Sequence, residues 1–215
     1  MSKHIIDKVI SWAEKRNIIK GCEPIDQYIK LVEEFGELGQ ALADGYKIGD
    51  NNKSKEHLLF KDSIGDCMVV AIILREQLEI KHADINDFYA KYNNAYPSNA
   101  QISITTSNRA INYLLSLVGQ LGKLIKKQDY GNALYAIDRI WGSLLILENS
   151  SSNRYSLPHA YNEIKNRDGI MINGTFIKSD DYSTLSDSFL SSHGFKRDYK
   201  TDNYGETKCL ILPIG

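Results

Sequence analysis

Proline is scarce in this chain, with 4 in 215 residues, and cysteine scarcer still, with 3. So little proline leaves long stretches free to be helical. The cysteines, Cys22, Cys67 and Cys209, are an odd and widely spaced set without a CxxC pair, which fits free thiols in a reducing compartment better than a disulfide frame or a zinc site. Neither sign of charge dominates: 26 Lys and Arg face 27 Asp and Glu, for a net charge of −1. Such a balance gives no electrostatic reason to expect nucleic acid as a partner. Long apolar runs are missing too. The longest, Cys67 to Leu74, is far short of the ~18 residues that a membrane span needs. Met1-Ser2-Lys3-His4 opens a charged segment rather than a signal core. No GxGxxG, GxxxxGK[ST] or HExxH is present, and the five histidines show no ligand spacing. Together these absences point to a soluble cytoplasmic protein that holds phosphate, if at all, without a glycine loop.

What is present is helical periodicity up to about residue 167. Ile5, Ile6, Val9, Ile10 and Trp12 predict a helix over 4–17. Pro24 suits a first helical turn, and the helix it opens runs to Ala43, where Asp44-Gly45 supplies a stop. After a polar loop at 49–55, a helix over 56–79 carries the apolar run on all faces and should be buried on nearly every side. Further helices are expected at 84–94, 106–127, 131–148 and 157–167. Beyond them, Asp168-Gly169 and Asn173-Gly174 are turn signals around short extended pieces, and 208–212 reads as a strand. The last 35 residues fit a hairpin appendage or a disordered tail.

The chain also repeats itself. Leu31-Val32-Glu33-Glu34-Phe35-Gly36-Glu37-Leu38 aligns with Leu117-Val118-Gly119-Gln120-Leu121-Gly122-Lys123-Leu124, keeping the apolar skeleton and losing every carboxylate. Asp62-Ser63-Ile64-Gly65-Asp66 aligns with Asp138-Arg139-Ile140-Trp141-Gly142. Gly36, Gly65 and Gly122 read as close-packing positions.

Five carboxylates carry the chemistry. On one helix Glu33 and Glu37 lie about 40° apart and Glu34 and Glu37 about 60°, so all three share a face, and Asp62 and Asp66 are one turn apart on the next helix. Acids gathered beside an apolar helix repel one another and are costly to desolvate. A divalent cation removes both costs, and magnesium prefers hard oxygen ligands completed by water and phosphate.

Tyr28-Ile29-Lys30-Leu31-Val32-Glu33-Glu34-Phe35-Gly36-Glu37-Leu38, followed by Lys61-Asp62-Ser63-Ile64-Gly65-Asp66-Cys67, resembles the EExxE and ExxD motifs of the MazG-like all-α NTP pyrophosphohydrolases, and most closely the proteins of this kind that bacteriophages carry. The closing segment 160–178 is similar as well. The resemblance covers roughly residues 5–178. It implies an all-α helical bundle and a magnesium-dependent conversion of NTP or dNTP to the monophosphate and pyrophosphate, with Mn2+ as a substitute ion. It also implies metal ligands at Glu33, Glu34, Glu37 and Asp66, with Glu33 or Glu34 activating water. Ser63 stands where the family has a glutamate ligand, so Asp62 is expected to take over that role. Phosphate, base and sugar contacts are expected from Trp12, Gln27, Lys30, Lys91, Asn94, Lys165, Asn166 and Arg167. Small MazG-like proteins pair as dimers. Here a catalytic copy at 24–96 and a degenerate copy at 106–178 would form a pseudo-dimer in one chain, with one active site, a tail at 179–215 and room for a further homodimer. A phage-encoded chain would work in the host cytoplasm. The competing reading is a nucleotide-binding regulatory protein that has lost turnover through Ser63.

Overall fold

The computed structural model describes residues 3–47, 54–81, 104–150 and 156–214, and all structural statements below concern these residues. Helix α1, Lys3–Lys15, turns Ile6, Val9 and Ala13 inward. It ends two residues before the expected position because Asn17 takes a left-handed φ of 55° and the chain passes into turns. Helix α2, Pro24–Ala43, begins with proline at its first turn and a reciprocal box in which the Glu23 backbone N–H donates to Asp26 Oδ2 at 2.9 Å. Gln27, Leu31, Glu34, Leu38 and Ala41 form its buried stripe, and Gly45, at φ 102°, follows its C-cap as the sequence indicates.

Helix α3, Lys55–Lys81, is the axis of the fold. From Cys67 to Arg75 every residue is buried, because α1, α2 and two later helices all pack on it. Helices α4, Ile104–Lys126, and α5, Tyr130–Ser150, form a second hairpin, with α5 against α3 and α4 against α2. The short α6, Ser156–Ile164, lies against α3 and stops three residues earlier than expected. One glycine governs that approach. A Cβ on Gly65 would come 2.4 Å from the Ser156 carbonyl oxygen and 2.9 Å from Ala160 Cβ, so the two backbones meet only because position 65 has no side chain. Gly122 packs likewise against Tyr28, whereas Gly36 is exposed with open space around it and is not a packing position. The helix expected at 84–94 lies outside the described residues.

Two antiparallel hairpins complete the fold, so the chain is mostly helical with a small β part at its C-terminal end. Strands β1, Gly169–Ile172, and β2, Thr175–Lys178, are joined by Asn173-Gly174, both at positive φ, the geometry that a tight two-residue hairpin turn demands. This hairpin is tied to the α1–α2 turn: the Met171 N–H donates to the Arg16 carbonyl at 2.8 Å, and the Gly174 N–H to the Gly21 carbonyl at 2.9 Å. Buried Gln77 holds the same turn from below through Nε2, which donates to the carbonyls of Ile18, Ile19 and Cys22. The tail is folded. A 3-10 turn at Ser179–Thr184, helix α7 at Asp187–Ser192, and strands β3, Phe195–Thr201, and β4, Thr207–Pro213, gather Tyr182, Leu190, Phe195 and Ile211 around Ile170 and Ile172 as a second small core.

Candidate active site

Between α1, α2, α3 and the β1–β2 hairpin lies a cavity of about 430 Å3. Trp12, Gln27, Lys30, Glu33, Glu34, Asp66 and Arg167, all anticipated from sequence, line it together. Its floor is apolar: Val69, Val70 and Ile73 of α3, with Met171 and Phe176 from the hairpin. Periodicity puts both classes of residue there. Along α2, positions 27, 30 and 34 share one face; along α3, Asp66, Val69, Val70 and Ile73 share another.

Acids and cations meet at one end. Glu34 is 6% exposed and accepts from Lys30 Nζ at 2.8 Å; the same amino group reaches Glu33 at 3.0 Å. Burial alone would lower the Lys30 pKa, but these two hydrogen bonds outweigh it and raise the value. Asp66 is pushed up to about 7, first by burial and then by the charges of Glu34, Asp62 and Glu163, with Arg167 opposing. Glu37, expected as a ligand, is exposed and does not line the cavity; slight burial and then Glu34 raise its pKa. Glu33 and Glu34 of α2 and Asp66 of α3 therefore share one cavity, and the charge of Glu34 disfavours ionisation of Asp66 there. Hard oxygen donors crowded in this way fit a divalent cation, which would relieve that repulsion.

Several expectations are corrected. Asp62 does not line the cavity; it is turned to α6, where burial and then Glu163 raise its pKa and His159 partly offsets them. Ser63 is fully buried and its Oγ donates to the Leu59 carbonyl at 2.8 Å, so that position offers no ligand. Lys165 and Asn166 are exposed outside the cavity, with Lys165 Nζ donating to Asn162 Oδ1 at 2.9 Å. Lys165, Asn166 and Arg167 all follow the end of α6 at Ile164 and are exposed, but only Arg167 also lines the cavity. Lys91 and Asn94 lie outside the described residues. Lys123 lines a separate groove with Glu23, Tyr28 and Lys126, away from the acids. Sequence reasoning missed His159 and Glu163. Their four-residue spacing on α6 was the available signal, but only the close approach at Gly65 reveals what they face.

In the second half, the residue aligned with Asp62 is Asp138, which accepts from Arg75 Nε at 3.3 Å. Arg75 also pairs with Glu79. A guanidinium thus stands beside the one acid that the aligned blocks of this half retain.

Comparison with known proteins gives one lead. The chain is similar to a phage protein. It is 42% identical over 78 residues to the "uncharacterized 18.2 kDa protein in rep-hol intergenic region" of Haemophilus phage HP1. That stretch is 36% of this chain and 42% of the phage protein, so the chain spans less than half of the relative's length. No family model matches the chain, and no solved structure matches it significantly.

Proposed function

We propose that the chain is a MazG-like, magnesium-dependent nucleoside triphosphate pyrophosphohydrolase, releasing pyrophosphate from an NTP or dNTP. The observation that carries this reading is one cavity lined by carboxylates, by Lys30 and Arg167, and by apolar and aromatic side chains that include Trp12. Glu34, Glu37 and Asp66 would hold the ion, with Glu33 and Asp62 beside them. Bound magnesium, or manganese in its place, supplies neutralisation of the triphosphate charge. Lys30 and Arg167 add fixed positive charge for the phosphates as negative charge builds on them. Glu33 sits at the exposed lip, next to the ligand face of α2, and orients the attacking water. Trp12 and Phe176 offer ring faces to a base, and Gln27 a polar contact.

The paired helical hairpins α2–α3 and α4–α5 support reading the bundle as a duplicated pseudo-dimer with one active site per chain. Arg75 beside Asp138 supports it as well, since a site with a built-in counterion has no need of a metal. The glycines aligned in the two copies do different things, however: Gly36 is open and Gly122 is packed.

A panel of NTPs, dNTPs and alarmones assayed for magnesium-dependent pyrophosphate release tests the activity. Glu37→Ala and Asp66→Ala should abolish it without unfolding the chain. Either variant keeping the wild-type rate at saturating magnesium would refute the site. The second reading, a nucleotide-binding protein without turnover, is favoured by Ser63 alone. Tight triphosphate binding with no pyrophosphate release would decide for it.

A further inference from the structure

Beside the cavity, α6 presents His159 and Glu163 one turn apart on the face that meets α3. Asp62 of α3 faces them. One ligand atom from each of the three lies within 4.8 Å of the others. We propose that Asp62, His159 and Glu163 bind a divalent transition-metal ion, in preference to magnesium, as a centre separate from that of Glu34, Glu37 and Asp66. The assignment does not depend on the hydrolase reading, although Asp62 stands between the two centres.

Three observations carry it. The spacing of His159 and Glu163 puts both side chains on one helix face, while Asp62 approaches from another element, so the donors converge instead of fanning out along one helix. The approach is built into the backbone, since the absence of a Cβ at Gly65 sets α3 against Ser156 and Ala160 of the same helix. Asp62 is half-buried and its side chain hydrogen-bonds Glu163, but its Oδ1 atom is itself buried with no hydrogen-bond partner among the described residues. A buried carboxylate oxygen left so is costly unless something binds it.

The donor set decides the ion. Magnesium favours oxygen and gives up its waters reluctantly, whereas an imidazole nitrogen suits the later first-row ions, such as cobalt, nickel and zinc, over magnesium or manganese. Two carboxylates and one imidazole leave coordination positions open, as in sites that keep a water.

The full-length chain should be titrated with Co2+ in saturating Mg2+, following visible absorption, with Zn2+ as competitor. One Co2+ per chain is expected, displaced by Zn2+ and not by Mg2+. His159→Ala and Glu163→Gln should each weaken Co2+ binding by about tenfold or more, as loss of one ligand from three implies. His159→Ala should leave the magnesium-induced thermal shift intact, while Glu163→Gln, whose charge acts on Asp66, serves only the cobalt readout. His159 is half-buried and Glu163 exposed, so both variants should fold, which circular dichroism checks. Unchanged Co2+ binding in His159→Ala, or displacement of Co2+ by Mg2+ at equal concentration, would overturn the proposal. Cobalt binding in a chain that releases no pyrophosphate would remove only the hydrolase reading. Pyrophosphate release by a chain whose cobalt binding ignores His159 would remove only this one.

Discussion

Replacing Asp66 by Asn should stabilise the metal-free protein, and the gain should depend on pH in a defined direction. Asp66 titrates in the folded chain at about 7, against an ordinary 3.8, because burial and then the charges of Glu34, Asp62 and Glu163 disfavour its ionised form. A carboxyl raised in this way binds its proton more tightly when folded. Its contribution is fully present below pH 4 and is lost as pH rises through 7. A rise from 3.8 to about 7, at about 1.4 kcal/mol per pH unit, sets a ceiling of about 4 kcal/mol. Water reaches part of the side chain, so screening brings the expected value to about 2 kcal/mol. For a chain of this size that is a rise in Tm of roughly 4–8 °C. Calorimetric melts in EDTA should show Asp66→Asn above wild type at pH 8, with the gap narrowing steadily toward pH 5. Magnesium should then raise the wild-type Tm and leave the variant unmoved, since a ligand stabilises only the form that binds it. A variant less stable than wild type at pH 8, or a gain that does not vary with pH, would refute the electrostatic account of this site.

Gly65→Ala must push α6 from α3, because its Cβ would meet backbone oxygen at 2.4 Å; a loss of about 1–3 kcal/mol by denaturant melt is expected. Ser63→Glu places a carboxylate in a fully buried position one helical turn from Asp66, so it should lower the metal-free Tm and recover on adding magnesium; a Tm indifferent to magnesium would count against a metal at this site. Trp12→Phe should remove most of the fluorescence change on adding a non-hydrolysable triphosphate, since the other tryptophan, Trp141, is buried away from the cavity; a change that persists would place the base elsewhere.

Much of this arrangement is legible in the order of the residues alone. Pro24 and Asp44-Gly45 bracket α2, and a helical wheel then gathers Gln27, Lys30 and Glu34. The apolar run of α3 announces the central helix, and Asp66 beside it announces the charged end of a buried surface. What cannot be read is what approaches from far along the chain. His159 and Glu163 show an ordinary spacing until Gly65 is known to admit their helix. Lys165 and Asn166 look equivalent to Arg167 until the turn after Ile164 brings only Arg167 to the cavity, though all three are exposed. The folded tail is hidden for a related reason: its apolar residues Tyr182, Leu190, Phe195 and Ile211 are too sparse to show a period, and they cohere only around Ile170 and Ile172 of the preceding hairpin.

The hairpin that closes the cavity is also the last piece of it to be synthesised. The acids of α2 and α3 are made about a hundred residues before Arg167, Met171 and Phe176, and the hydrogen bonds from Met171 to Arg16 and from Gly174 to Gly21 join segments some 150 residues apart. Contacts of such range are entropically expensive and form late. During translation the chain therefore passes through a stage in which the helices of its first half exist but the pocket has no wall. An unfinished chain stalled before β1 would carry the carboxylates without the recess proposed to take a nucleotide, and so could meet a cation long before that recess exists. The order of synthesis thus separates the two halves of the site in time.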